Sequence, residues 1–162
     1  MVRLAEHEVP ATSAEAAFQK VADLLGGSQA LLSREASALD VHERLLHGLS
    51  GTALRHLVTR LPMLRDPALL EPAVGMSLRT YQRHMEAPAK PLSREQSGRT
   101  WKFAEILAKA IEVLGSQDEA EQWLVRPAMG LEQRRPIDLL ATPVGVKLVE
   151  DFLQRLEYGV YT

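Results

Sequence analysis

Residues 123–162 read WLVRPAMGLEQRRPIDLLATPVGVKLVEDFLQRLEYGVYT. The residues in this stretch that start and stop helices decide the fold. Pro127 stops one helix and Pro136 starts a short apolar turn, because proline lacks the N–H that a helix interior needs. Thr142-Pro143 then begins a helix, since Thr caps free backbone amides and Pro suits the first helical position. Apolar residues follow at steps of four, with two more beside them: Val144, Leu148, Phe152 and Leu156, then Val149 and Leu153. This pattern predicts an amphipathic helix with one broad apolar stripe, ended by Gly159.

Composition and helix-start signals place the whole chain in the all-α class. Its 162 residues are 46% apolar and 25% charged, and no β-branched alternating run predicts a strand. Three capping boxes, in which Ser or Thr precedes Glu or Gln by three residues, mark helix starts: Thr12 with Glu15, Ser93 with Gln96 and Ser116 with Glu119. We therefore expect an all-α protein in which Trp101 and Trp123 belong to the core.

Charge is segregated along the chain although its net value is only −2. Residues 52–102 hold nine Arg or Lys against four acids, a net of +5, whereas residues 1–51 and 103–162 carry −3 and −4. A basic middle between acidic flanks is typical of a DNA-binding module, because phosphate contacts supply most of the raw affinity for DNA.

A helix-turn-helix pattern lies inside this basic segment. Gly75 allows a sharp turn, Met76 packs beneath it and Ser77 caps a new helix over residues 78–87. The layout resembles the Cro-like module of Xre-type regulators. Pro72 departs from that pattern, because it must kink or shorten the first helix of the motif.

The second helix of this motif carries the side chains that suit base reading. Tyr81 and Met85, four residues apart, are expected to face the core, so the outward face holds the candidate DNA contacts Ser77, Arg79, Thr80, Gln82 and Arg83. Arg reads guanine with two hydrogen bonds, and Gln reads adenine. The alternative is an ordinary solvated helix face, which is the usual meaning of two arginines four apart.

Three segments follow from these signals. Residues 50–91 form the predicted DNA-binding domain, which ends in the proline-stiffened linker 87–91, and residues 92–162 form a C-terminal domain. Residues 1–49 hold helices too short for a stable domain, so they pack on the middle or pair with a second copy. A helix over residues 37–47 is expected to bury apolar side chains, namely Leu39, Leu45 and Leu46. The N-terminal helices are therefore the candidate dimer contact.

Several function classes find no support in the sequence. The chain has no cysteine, and its five histidines, His7, His42, His47, His56 and His84, show no metal-ligand spacing. No phosphate loop, nucleophile motif or paired carboxylate predicts catalysis, so we expect no enzyme, no metal and no cofactor. The N-terminus lacks the apolar core of a signal peptide and no run reaches membrane-spanning length, so the cytoplasm is the expected location.

The C-terminal third carries a family resemblance. The residues that carry it are Ala120, Trp123-Leu124, Pro127, Leu131, Pro136-Ile137-Asp138-Leu139-Leu140, Thr142, Gly145 and Tyr158-Gly159. Their pattern resembles the C-terminal toxin-binding domain of the Xre/MbcA/ParS antitoxins, the antitoxins of RES-domain toxins. The resemblance implies a type II antitoxin that binds an NAD-consuming RES-domain toxin, blocks its NAD-binding active site and represses its own operon as a dimer bound to operator DNA.

The candidate toxin contacts lie in one loop and at the end of the chain. Arg134 and Arg135 contact a partner or form a solvated loop. The tail carries two tyrosines, which suit an interface anchor, in the stretch Tyr158, Gly159, Val160, Tyr161 and Thr162. Its terminal carboxylate is an anion that arginines built for NAD phosphates would attract. The tail either covers its own helix end or enters the toxin pocket.

Two rivals to the antitoxin interpretation remain open. One is an Xre-type transcriptional regulator with no toxin partner. The other is a ParS-like structural or localisation protein, which shares the C-terminal motif and needs no DNA contact. A toxin gene beside the chain's own gene distinguishes an antitoxin from either rival.

Overall fold

The structure, a computed structural model, describes residues 13–27 and 37–159, and all of the regular structure in those ranges is helical. Eight α-helices succeed one another: α1 (Ser13–Leu24), α2 (Ala38–His47), α3 (Gly51–Arg60), α4 (Pro67–Val74), α5 (Leu78–Glu86), α6 (Arg94–Leu114), α7 (Gln117–Leu124) and α8 (Pro143–Glu157). Three short 3-10 turns lie between them: Pro62–Arg65, Met129–Leu131 and Pro136–Ala141. The all-α prediction is confirmed.

Capping side chains set most of the helix starts. The hydroxyl that precedes each of five helices accepts a hydrogen bond from the N–H three residues later, at Ser50, Ser77, Ser93, Ser116 and Thr142. Ser93 and Gln96 form the predicted reciprocal box, and Ser37 forms another with Asp40. Of the other two predicted boxes, Ser116 with Glu119 forms only the bond from the N–H of Glu119 to the Ser116 hydroxyl in the described residues, and Thr12 lies outside them. These starts form as expected because capping is a local interaction between near neighbours.

The 21-residue helix α6 is the element on which the others pack. It contacts α1, α2, α4, α7 and α8, and it buries Trp101, Phe103, Ala104, Ile106 and Leu107. Both described N-terminal helices therefore lie against the centre of the fold. Trp101 is in the core as predicted, and Trp123 is partly buried against the core.

A buried carboxylate joins two distant parts of the chain. Glu121 Oε1 on α7 accepts a hydrogen bond from the N–H of Met63 at 2.9 Å. Gln117 donates both to Glu121 Oε2 and to the carbonyl of Arg60. The end of α3 and its following turn are thereby fixed to α7.

Two leucines of α2 are not where the sequence pattern puts them. Leu39 is 67% exposed and Leu46 is 38% exposed, so the prediction that both are buried is wrong. The helix packs instead through Val41, with Leu45 partly buried on the same side. Since Leu39 and Leu46 lie seven residues apart, they share the opposite face, which points to solvent.

The apolar stripe of α8 is also narrower than predicted. Its buried face is Gly145, Val149 and Leu153, whereas Val144 is 74% exposed and Leu148 is 50% exposed. A row that steps by four turns about 40° around the helix with each step, so its two ends face different directions. The predicted row therefore starts in solvent and reaches the core only near its C-terminal end.

Candidate functional site

The turn between α4 and α5 has the geometry that its sequence predicts. Gly75 adopts a left-handed conformation with φ of 73° and donates its N–H to the carbonyl of Glu71 at 2.9 Å. Met76 is buried beneath the turn, and Ser77 Oγ accepts a hydrogen bond from the N–H of Thr80 at 3.2 Å. The two short helices and this turn form a helix-turn-helix unit.

Arg99 of α6 stabilises this turn. Its Nη2 donates to the carbonyl of Pro72 at 2.9 Å, a carbonyl in the last turn of α4 that has no helical N–H to accept from. The same side chain packs on Gly75, where an added Cβ would lie 3.3 Å from it. Burial lowers the pKa of the Arg99 guanidinium, yet arginine stays charged at physiological pH. The eight-residue α4 ends two residues after Pro72.

The outward face of α5 presents its cations to solvent. Arg79, Gln82 and Arg83 are exposed, Thr80 is half-buried, and the two predicted core residues, Tyr81 and Met85, are half-buried against the core. Within residues 13–27 and 37–159, neither Arg79 nor Arg83 has a hydrogen-bond or ion-pair partner. Ser77 is less available, because its hydroxyl caps the helix and donates to Thr80 Oγ1 at 3.1 Å.

A third cation, Arg55, lies on α3, which packs against α5. Burial raises the pKa of Tyr81, and the positive charge of Arg55 offsets part of that rise. The Arg55 side chain is exposed. The sequence pattern assigns Arg55 no role beyond the local charge count, because its position against α5 depends on how α3 packs.

Two of the nine cations in residues 52–102 serve the fold. Arg99 holds the turn, and Lys102 forms ion pairs with Glu105 and Glu150, the second at 3.0 Å. Burial lowers the pKa of Lys102, but hydrogen bonds and charge from the two glutamates outweigh burial and raise it. Of the other seven cations, Arg79 and Arg83 lie on α5.

The loop between α7 and α8 is tightly closed. The N–H of Ala128 donates to the carbonyl of Arg134 at 3.0 Å, and Glu132 and Gln133 both have positive φ. Arg135 pairs with Asp138 through two hydrogen bonds of 2.7 and 2.9 Å, which raise the pKa of its guanidinium. Of the two predicted toxin-binding arginines, Arg134 is exposed, whereas Arg135 is half-exposed and paired with Asp138.

Phe152 of α8 packs against this loop. Its ring stacks on Trp123 at a centroid distance of 5.9 Å and an interplanar angle of 9°. Arg155 lies over the same ring, 5.9 Å from its centroid, and a Cβ on Gly130 would meet the ring at 2.2 Å. Beside this contact, Met129 is 85% exposed.

The end of α8 presents part of the predicted tail. Tyr158 is 70% exposed, and Gly159 closes the helix with φ of 66°. Val160, Tyr161 and Thr162 lie outside the described residues. Tyr158 and Phe152 are six residues apart, so the tail begins about 9 Å along the helix axis from the loop contact.

Metal-binding and membrane-spanning features are absent from the described part of the chain. There, no three His, Asp or Glu side chains come together as metal ligands would. None of the helices in those ranges combines the length and the apolar character that crossing a bilayer requires.

Family models match the two parts of the chain that contain the candidate DNA contacts and the candidate toxin contacts. Residues 40–105 match the antitoxin Xre-like helix-turn-helix domain, and residues 109–159 match the antitoxin Xre/MbcA/ParS C-terminal toxin-binding domain. An Antitoxin Xre of Pseudomonas putida is 31% identical over 127 residues, which cover 76% of this chain and 75% of that protein. The chain belongs to the Xre/MbcA/ParS antitoxin family.

Two other proteins named Antitoxin Xre align over shorter stretches. That of Photorhabdus laumondii is 30% identical over 87 residues, 53% of this chain and 58% of the relative. That of Yersinia enterocolitica is 31% identical over 91 residues, 56% of this chain and 61% of the relative. This Xre-family antitoxin is thus a regulatory protein of a toxin–antitoxin system rather than an enzyme, with a toxin and DNA as partners.

The two matched regions meet inside α6. The helix-turn-helix match ends at residue 105 and the toxin-binding match begins at residue 109, both within Arg94–Leu114. Arg99 of this helix holds the turn at Gly75, and the same helix packs on α7 and α8. The DNA-binding and toxin-binding parts therefore share one rigid support.

Proposed function

We propose that this antitoxin neutralises a RES-domain toxin, an NAD-consuming enzyme, by covering the entrance of its NAD-binding pocket. The observation that carries the proposal is the end of α8. The toxin-binding match runs to residue 159, and the last described side chain before it, Tyr158, is largely exposed rather than packed on its own fold. A side chain with a large, stiff ring and a polar tip suits insertion into a partner.

Inhibition is steric in this proposal. Residues 158–162 enter the pocket, while Arg134 contacts the toxin from the neighbouring loop. The chain supplies no catalytic group, since excluding NAD is sufficient to stop the reaction. The cytoplasm, where both NAD and operator DNA are present, is the location that fits this activity.

Co-expression tests the proposal in cells. The toxin gene that neighbours this chain's own gene is expressed alone and together with the antitoxin, and growth and cellular NAD are followed. We expect NAD to fall and growth to stop with the toxin alone, and both to recover with the antitoxin. A harmless neighbour, or a toxin that this chain does not neutralise, contradicts the proposal.

Autorepression by operator binding is the second part of the proposal. The exposed face of α5 carries Arg79, Gln82 and Arg83, and Arg55 adds charge beside it. One short recognition helix reads few base pairs, so two copies bind half-sites about one helical turn apart.

Replacing Arg79 and Arg83 by alanine is expected to weaken operator binding by at least about 30-fold, because each arginine contributes roughly 1–3 kcal/mol to DNA binding. Both side chains are exposed and unpaired in the described ranges, so the fold should be unaffected. Titration of operator DNA at several salt concentrations, with a shallower salt slope for the variant, measures the effect.

A matched control removes the same charge elsewhere. Arg126 and Lys147 are exposed cations outside the helix-turn-helix match, so Arg126→Ala with Lys147→Ala should leave operator affinity within about threefold. Equal losses in the two variants would show that only net charge matters and would refute base reading by α5.

The dimer contact is proposed on α2. Leu39 and Leu46 point away from α6, and two α2 helices packed antiparallel about a two-fold axis bring Leu39 of one copy beside Leu46 of the other. Burial of these side chains supplies an apolar contact that the isolated chain does not make.

Leu39→Lys with Leu46→Lys is expected to weaken the dimer by more than about 100-fold, since each leucine loses its burial on both copies. Sedimentation velocity should show monomer at concentrations where the parent chain is a dimer. The thermal midpoint of a monomeric sample should stay unchanged, because both positions are solvent-exposed in the monomer. A dimer that persists in this variant places the contact elsewhere.

A further inference from the structure

One side of α8 carries exposed residues along its whole length. Val144, Leu148, Asp151, Arg155 and Tyr158 follow one another at alternating steps of four and three, which keeps them on a single face of a helix. Val144, Leu148 and Tyr158 are at least half exposed. We call these five residues the outer stripe of α8.

Met129 extends the outer stripe sideways. The turn Met129–Leu131 sits on the Phe152 ring, and Phe152 lies between the stripe and the buried face of α8. Arg155 lies over the same ring, so the turn that carries Met129 reaches the edge of the outer stripe. Four large apolar side chains of the stripe and this turn are exposed: Met129, Val144, Leu148 and Tyr158.

The fold does not need this surface. The face of α8 that contacts the protein is formed by Gly145, Val149 and Leu153, and the ion pairs of Glu150 and Glu157 join α8 to α6 on the other side. Val144 and Leu148 thus occupy positions where lysine or glutamate would serve the helix as well.

We propose that the outer stripe of α8, together with Met129, is the surface that docks the toxin, and that the tail blocks the pocket only after this docking. This inference rests on the proposed function. It separates two roles within the C-terminal domain: Met129 and the outer stripe from Val144 to Arg155 supply most of the binding energy, and residues 158–162, which begin with the last residue of the stripe, supply inhibition.

The match to the toxin-binding domain links the outer stripe to the toxin. That match covers residues 109–159, so it includes the turn Met129–Leu131 and all of α8. The outer stripe is continuous with the tail and runs back about 21 Å along the helix. The opposite side of this helix end is occupied by the Lys109–Glu157 ion pair with α6.

The charges on the outer stripe indicate which charge the partner's surface carries. Asp151 is paired with Lys147 at 3.0 Å, whereas Arg155 has no carboxylate partner in the part of the chain that the structure describes. An apolar groove that accepts one helix, with an acidic rim opposite Arg155, fits this arrangement. We assign that groove to the toxin, beside the entrance of its NAD-binding pocket.

The test replaces the two apolar residues without disturbing the helix. Val144→Asp with Leu148→Lys leaves net charge unchanged, places an acid in the first turn of α8 and creates an ion pair between residues four apart. Gln154→Lys, an exposed position on the same helix outside the stripe, is the control. Each full-length variant is titrated against an inactive variant of the neighbouring toxin, and thermal melting checks the fold.

The expected result is a loss of toxin affinity of roughly 100-fold or more for the double variant, with Gln154→Lys within about threefold of the parent chain. Deletion of residues 158–162 should retain the larger part of the affinity. Parent-like affinity in the double variant overturns this docking surface and leaves the proposed function standing. No binding of the toxin by the parent chain overturns both.

Discussion

Deleting residues 158–162 is expected to abolish neutralisation while the antitoxin still folds and still binds its toxin. The deleted segment begins at the exposed Tyr158, beyond the last buried residue of α8, Leu153. Its two described residues, Tyr158 and Gly159, are both exposed, so we expect the fold to survive the deletion, which removes the part of the chain that we propose to enter the NAD pocket. Cells that co-express the toxin with the truncated antitoxin should stop growing as they do with the toxin alone.

The control for this deletion keeps the chain length and removes the two tyrosine rings that we propose to contact the toxin. Tyr158→Ser with Tyr161→Ser should weaken neutralisation, because neither ring can then pack against the toxin, whereas Glu157→Gln, one residue before the segment, should have little effect. Co-purification of the truncated antitoxin with the toxin shows that the complex still forms. Full protection of cells by the truncated chain would contradict the role given to the tail.

Gly145→Ala is expected to destabilise the fold more than any of the other single substitutions proposed for this chain. A Cβ at residue 145 would lie 1.9 Å from the carbonyl oxygen of Leu139, a backbone atom that cannot move without shifting the turn Pro136–Ala141. Separating α8 from this turn also disturbs the cap at Thr142. We expect the free energy of unfolding to fall by about 2–4 kcal/mol, measured by denaturant titration.

Gly98→Ala provides the matched comparison. Residue 98 lies within α6, and a Cβ there meets no atom within 4 Å. Alanine is the better helix former, so this change should leave stability equal or raise it by up to about 1 kcal/mol. If Gly145→Ala proved as harmless as Gly98→Ala, the close approach of α8 to residue 139 would be wrong.

Local signals in the sequence are sufficient for the helix boundaries. Ser77, Ser93 and Thr142 cap helices as predicted, because each hydroxyl bonds to an N–H three residues away and needs no tertiary structure. The turn at Gly75 follows for the same reason, since its left-handed conformation is a property of glycine itself.

The choice of buried face is beyond the sequence pattern. Val144 and Leu148 are as apolar as Val149 and Leu153, and only the packing of α8 on the rest of the fold decides which pair is buried. Gly145 indicates the buried face, because a glycine inside a helix often marks where the helix approaches another part of the backbone most closely. Steps of four from Gly145 reach Val149 and Leu153.

Contacts between distant residues are likewise invisible in the sequence. The cations of the basic segment include Arg99, yet its guanidinium donates to Pro72, 27 residues away. Lys102, another cation of that segment, pairs with Glu150, 48 residues away. Charge counts show how many cations a segment has, but their availability depends on neighbours that folding brings together.

Competition with NAD tests the central claim most directly. The rate of NAD consumption by the purified toxin is measured against antitoxin concentration at several concentrations of NAD. If the tail occupies the NAD pocket, rising NAD should weaken inhibition by the full-length chain, and the chain without residues 158–162 should bind without inhibiting. Inhibition that is complete at every NAD concentration, or that survives removal of the tail, would contradict a block of NAD entry.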